Sequence, residues 1–347
     1  MSMDATATIS APAEPTSKPA VSPVLKKSLF LAVPAIVGAA AIHAWKTRPP
    51  PADAAAAPSP AVRHTQAARR VAVPASLHSI TDPGQVWQVR VALLRNALRS
   101  ECGEPEIRYL YELLAKGPPK GELPEHWYVI ANEFMDQLLS HDTDCERLTG
   151  NLLRLLEDAH QPLVLRDYAV QHLVTLLNPH SRQTPTGQAT QPPPEIAARI
   201  LQALVAATTD PALEQSSVPG TTLMMLVNLV RSSGNVDCTQ AIAALKPWLT
   251  RALQDGSSLS TPVRVSAVQA AGILAPQEFR PTLRGIAYQE NGQSSLRLPA
   301  IAAIAHCGES TDLAKLQQIA RTHPELSYAA SEAGTTLTSR LALQDGR

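Results

Sequence analysis

Two pentapeptides, Leu245-Lys246-Pro247-Trp248-Leu249 and Phe279-Arg280-Pro281-Thr282-Leu283, decide the fold, because their prolines stand 34 residues apart and each opens the same longer pattern. The first is followed by Thr261-Pro262-Val263-Arg264-Val265-Ser266-Ala267, running on through Ala271 and Leu274. The second is followed by Leu296-Arg297, running on through Ala300, Ile304 and Cys307. Val263, Ala267, Ala271 and Leu274 fall on one helix face, the spacing of a stripe turned toward a core. The two arginines are 33 residues apart, so both helices of the unit repeat in phase. An earlier copy has Leu165-Arg166, Ala169, Leu173 and Leu176, and a later, weaker one has Leu326, Ala330, Gly334 and Leu337 with Ser327 in place of the arginine. Repetition at this period predicts helix pairs that cannot bury their apolar faces singly and gain a core by stacking.

Outward from these copies, the same reading covers most of the chain. Helix pairs are expected at 105–115 with 124–140, 145–158 with 163–178, 194–208 with 217–232, 238–253 with 261–274, 277–289 with 294–307, and 311–322 with 325–341. Gly117-Pro118-Pro119, Asn178-Pro179, Pro192-Pro193-Pro194, Gly234, Gly256, Gly292 and Gly308 mark the breaks. A lead-in helix near 85–99, with Val86, Val89, Leu93, Leu94 and Ala97, is expected to cap the open end of the stack. With aromatic residues at only 4% of 347, sheet is not expected.

The amino-terminal part has a different composition. Residues 1–24 are rich in Ala, Ser, Thr and Pro and read as a disordered tail. Leu29 to Trp45 contains no acid, lysine or arginine, and Lys26, Lys27, Lys46 and Arg48 flank it. The expectation is a transmembrane helix over 26–46, at the lower length limit for a hydrocarbon layer of about 30 Å. A cleaved secretion signal or an apolar helix that does not span remain alternatives. Three lysines before the span and Lys46, Arg48 and Arg63 after it leave the positive-inside count nearly balanced; the short tail with paired lysines favours an amino end in the cytoplasm and a helical domain outside it, in the periplasm of a Gram-negative source. A Pro/Ala-rich linker over 47–80 then leads into a helical domain over 81–347.

Charge is also uneven. Residues 1–80 hold eight Lys/Arg and three acids, which leaves 22 basic and 27 acidic residues for 81–347. A mildly acidic domain argues against nucleic acid as its partner, since phosphate backbones are held by a surplus of Lys and Arg.

A proline inside the first helix, a short polar turn, then Val/Leu-Arg-x-x-Ala resembles the HEAT-repeat family, including its phycobilisome-lyase-like branch, most specifically over 238–340. The resemblance implies an all-α, right-handed solenoid of about five to six pairs whose second helices line a concave side. The family pattern also places an aspartate in the turn, whereas here Asp255 fits only with extra turn residues and Asn291 stands at the next such place. The family's Asp–Arg ladder is therefore not expected in its usual form. Tyr168 with Gln171, and Ser266 with Gln269, are expected to face outward on the concave side, each pair three residues apart. Tyr109, Tyr111, Trp127 and Tyr128 gather aromatics in the first pair.

No catalytic, cofactor-binding or metal-ligating residue is assigned. Gly-x-Ser-x-Gly, a phosphate-cradling glycine loop and His-Glu-x-x-His are all absent from the sequence, as is the His-Glu dipeptide with which some HEAT-like enzymes hold iron. His141-Asp142-Thr143-Asp144-Cys145 gathers ligand types, but its place between two helices makes Asp144 or Thr143 an N-cap. Cys307 lies on a core position, and Cys102 and Cys145 are candidates for a disulfide if the domain is outside the cytoplasm. The function expected is a membrane-tethered scaffold that binds a protein partner on its concave surface. The rival is an enzyme or enzyme subunit on the same frame, resembling phycobilin lyase subunits or alkyl-base DNA glycosylases.

Overall fold

The computed structural model describes residues 75–100, 102–178, 191–232 and 236–345. Among them are thirteen α-helices and no strand: α1 (Trp87–Ser100), α2 (Glu104–Lys116), α3 (Pro124–His141), α4 (Cys145–Glu157), α5 (Leu163–Leu177), α6 (Pro194–Thr209), α7 (Val218–Ser232), α8 (Thr239–Leu253), α9 (Thr261–Leu274), α10 (Pro276–Tyr288), α11 (Ser294–Cys307), α12 (Ser310–Thr322) and α13 (Ser327–Asp345). From α2 onward they form the six expected pairs. The expected transmembrane segment lies outside the described residues, and among those residues no helix is long and apolar enough to cross a membrane.

The helices form two layers. The second helices α3, α5, α7, α9, α11 and α13 pack side by side in chain order, with α1 joining the row against α3. The first helices make the other layer, where α4 packs on α6 and α6 on α8. Ion pairs continue that row: Glu104–Arg147 joins α2 to α4 at 2.6 Å, Lys246–Glu278 joins α8 to α10 at 2.5 Å, and Arg284–Asp312 joins α10 to α12 at 2.6 Å. Such an arrangement is that of a helical solenoid, with each unit supported by its neighbours.

Local sequence explains the elements. Prolines start α3, α6 and α10 at positions whose N–H would lack a partner in any case. Asp144 accepts from Arg147 N at 3.0 Å and so caps α4. Gly256, at φ +78°, closes the turn after α8 in the left-handed region that side chains disfavour. Pro247 and Pro281 sit exposed inside α8 and α10, where the missing donors face solvent rather than the core. Val263, Ala267, Ala271 and Leu274 are buried as their spacing demands, and so are Leu296, Ala300, Ile304 and Cys307.

The repeat arginines do a job different from pairing with a turn aspartate. Arg166 Nε donates to Leu156 O at 2.7 Å, Arg297 Nε to Ala287 O at 3.3 Å, and Arg264 Nε to Ala252 O at 3.2 Å with Nη2 to Gln254 O at 3.0 Å. Each guanidinium thereby satisfies carbonyls at the carboxyl end of the helix before it, where the macrodipole is negative. Asp255 and Asn291 stay exposed. Arg90 on α1 repeats the contact, donating to Ile80 O at 2.7 Å in the 3₁₀ helix Ala75–Thr81 and pairing with Glu122. That 3₁₀ helix and α1 are thus a truncated first unit. The expected domain start at residue 81 falls inside it, since Leu77 and Ile80 are fully buried.

The two ends of the stack differ. Val91, Leu94 and Leu98 are the buried stripe of α1, whereas Val86, Val89 and Leu93 form a second apolar stripe that is exposed. On α13 the exposed side mixes Ser331, Thr335, Thr338 and Ser339 with the strongly exposed Tyr328 and Leu343.

Candidate functional site on the second-helix layer

Of the four residues expected to face a partner, Tyr168, Gln171 and Gln269 are half-buried and Ser266 is not available at all. Ser266 is buried in the seam between α7 and α9, its Oγ 3.1 Å from where a Cβ on Gly220 would lie. The register placed it one step too far round the helix: Ala267 and Ser266 both point into neighbouring helices because α9 has partners on three sides. Burial and the neighbouring Asp167 push the Tyr168 phenol upward.

The polar groups that do converge lie on α1, α3 and α5. Glu133 is buried on α3, yet it is fully engaged: Arg95 of α1 donates to Oε2 at 2.5 Å and Gln137 donates to Oε1 at 2.8 Å. Asn132 and Asp136, one helical turn apart, face His172 of α5. His172 Nε2 lies 3.1 Å from Asn132 Oδ1, and His172 Nδ1 lies 3.7 Å from Asp136 Oδ1. The His172 side chain is 7% exposed, while Asp136 is 48% exposed and Arg95 59%, so the cluster is rooted in the seam and opens to solvent. Burial lowers the His172 pKa to about 4, keeping the ring neutral at pH 7. Burial and then the negative charge of Glu133 raise Asp136 to about 6, with Arg95 pulling the other way. A buried neutral imidazole beside a carboxylate with a raised pKa can accept, donate or pass a proton, and such pairs concentrate at functional sites.

A second perturbed acid, Asp167, lies between α5 and α7. Burial raises it to about 6 against hydrogen bonds from Ser217 and Thr221. Its neighbours are side chains of the next repeat, which makes it a seam contact.

His172 escaped the sequence reading because it stands between Gln171 and Leu173 on a helix that is apolar nearly all round. The signal available was the Asn132/Asp136 pair at i, i+4, but its relevance depends on which α5 residue it meets.

The ligand-like run at 141–145 is occupied structurally. Asp142 is buried, accepting from Tyr111 Oη at 2.6 Å and from Arg147 Nη2 at 2.7 Å. Asp312 is held by Tyr288 Oη at 2.7 Å and Arg284 Nε at 2.8 Å, both from α10, so each acid ties one first helix to the next, Asp142 from the turn before α4 and Asp312 from within α12. Cys102, one of the two cysteines considered for a bridge, is a free thiol here, half-buried and pushed up to about 11 by burial. Among the described residues no group of three or more His, Cys, Asp or Glu is placed to hold a metal ion.

No protein-family model matches the sequence, and no curated protein matches it. Among solved structures, human deoxyhypusine hydroxylase in complex with glycerol is similar at 16% identity and a TM-score of 0.31, over 76% of this chain and 95% of that one.

Proposed function

We propose that this chain is a right-handed HEAT-like solenoid that acts as a scaffold, binding a protein partner along its second-helix layer without catalysis of its own. The observation that carries the reading is the polar network of Arg95, Asn132, Glu133, Asp136 and His172, set at a seam where apolar residues would pack with less desolvation. A contact between second helices two apart supports it: Arg231 of α7 donates to His306 Nε2 of α11 at 3.2 Å, as expected on the inner side of a curved row. Tethering through residues 29–45, with the solenoid outside the cytoplasm, belongs to the same proposal and would raise the local concentration of a membrane-bound partner.

The test is photo-crosslinking of the full chain in its native membranes, with a benzophenone side chain placed at Asn228 on α7 or at Lys315 on α12. Adducts from position 228 that are absent from 315 are expected. Equal labelling from both layers, or none from 228, overturns the scaffold.

An enzyme on the same frame is the second reading, favoured by the His172–Asp136 pair as an acid–base couple. Turnover of any substrate that is lost in His172→Gln, with the crosslinks retained, would favour it.

A further inference from the structure

Asn132 fixes the protonation of the ring beside it. Its Nδ2 points to Asp136 Oδ2 at 3.5 Å, which turns Oδ1 toward His172. With Asn132 in this orientation its amide oxygen accepts from the ring, which puts the ring proton on His172 Nε2 and leaves a neutral imidazole with a bare lone pair on Nδ1. That lone pair faces Asp136 Oδ1, another acceptor, at 3.7 Å. Two acceptors turned toward one another repel unless a donor serves both.

We infer that the mouth between His172 Nδ1 and Asp136 takes a cationic N–H donor, the ammonium or guanidinium group of a basic side chain on the partner; the inference rests on the scaffold reading above. The bare imidazole edge belongs to a side chain more than nine-tenths buried, aimed at the one carboxylate of the cluster that opens to solvent. Glu133 already has Arg95 and Gln137, so Asp136 is the unbalanced charge and the cluster carries one net negative charge. One imidazole nitrogen and one carboxylate are too few ligands for a structural divalent cation, which takes four or more. They suit an ammonium, whose several N–H groups can bond both acceptors and still reach solvent.

The experiment uses the full chain and three small probes: n-butylammonium, N-methylguanidinium and tetramethylammonium, the last carrying the charge without an N–H. The readout is the ¹⁵N shift of His172 Nδ1, which moves when its lone pair accepts a hydrogen bond. Saturable movement with the first two probes and none with the third is expected, together with an affinity at least tenfold weaker in Asp136→Asn. Asn132→Leu, which frees the ring to change tautomer, is expected to weaken binding as well and supplies a second variant should Asp136→Asn fold poorly. Equal movement with all three probes, undiminished binding in Asp136→Asn, or a response to zinc alone overturns the inference. Amine binding that persists while crosslinks from position 228 are missing would instead remove the scaffold reading and leave the cation site.

Discussion

The same kind of contact, one second helix against the next, is built in opposite ways at two places along the row. Between α9 and α11 the backbones close on small residues: a Cβ added to Gly272 would stand 2.6 Å from Ala303 Cβ and 3.2 Å from its Cα. Between α3 and α5 the seam instead holds Asn132 against His172. The first arrangement maximises dispersion and apolar burial. The second gives up some of both to keep a neutral imidazole and a carboxylate in fixed relation. The α5–α7 seam also buries an acid, Asp167, but there the partners are hydroxyls of the next repeat, whereas the α3–α5 seam sets an imidazole against a carboxylate that opens to solvent.

The largest way to sharpen this contrast is to overfill the tight seam. Gly272→Leu forces α9 and α11 apart, and denaturant unfolding should show a loss of about 3 kcal/mol. The matching change at the polar seam, Asn132→Leu with His172→Leu, removes both partners of one hydrogen bond and should stay within about 1 kcal/mol of the parent. A loss at the polar seam as large as that at the tight one would break the comparison.

Acid separates the two seams next. His172 is depressed from 6.5 to about 4, so its contribution is complete above pH 6.5 and is lost as pH falls toward 4. By itself that is about 2 kcal/mol between pH 7 and 5. Asp136 is raised from 3.8 to about 6 and acts in the other direction, binding its proton more tightly when folded and adding stability as pH falls through 6. The two windows overlap, and the other charges facing the ring, Glu133 and Arg95, are already paired with each other. Asp136→Asn should therefore become more acid-sensitive than the parent between pH 7 and 5, and His172→Gln less so, as read by thermal melts at each pH. Identical pH profiles for the three proteins would show that the ring and the carboxylate do not titrate against one another.

The guanidinium contacts rank below. Arg166→Met leaves Leu156 O without its buried donor and should lower stability by about 2 kcal/mol, whereas Arg264→Met, at a half-buried position with longer bonds, should lose under about 1 kcal/mol. Smallest is Lys246→Ala, at about 0.3 kcal/mol, because the Lys246–Glu278 pair is exposed to water on both sides.

Periodicity made the six pairs legible almost to the residue, because proline, arginine and small-residue positions recur in phase from α8–α9 to α10–α11. It was only partly right on α1, where two stripes have the same spacing: of the residues expected to cap the stack, Leu94 is fully buried and Ala97 packs against the core, but Val86, Val89 and Leu93 are exposed, and Val91 and Leu98, in the register of Arg90, complete the core. Spacing within one helix cannot say which of two faces meets a neighbour. The same limit hid the candidate site. Arg95, Glu133 and His172 are 38 and 39 residues apart in sequence and meet only because successive second helices are neighbours. Ser266 is the converse error, a polar residue placed in solvent by its type and buried by its helix's third partner.

The arginine-to-carbonyl contacts have a mechanical consequence. Arg166, Arg264 and Arg297 each join a second helix to the carboxyl end of its own first helix, so these bonds lie inside a pair and none spans two pairs. Bending or stretching the stack leaves them unstrained and deforms the joints between pairs instead. Each pair then behaves as a stiff bead, and compliance is expected to be greater where an amide and an imidazole interrupt the apolar packing of α3 on α5 than where α9 closes on α11 through Gly272 and Ala303.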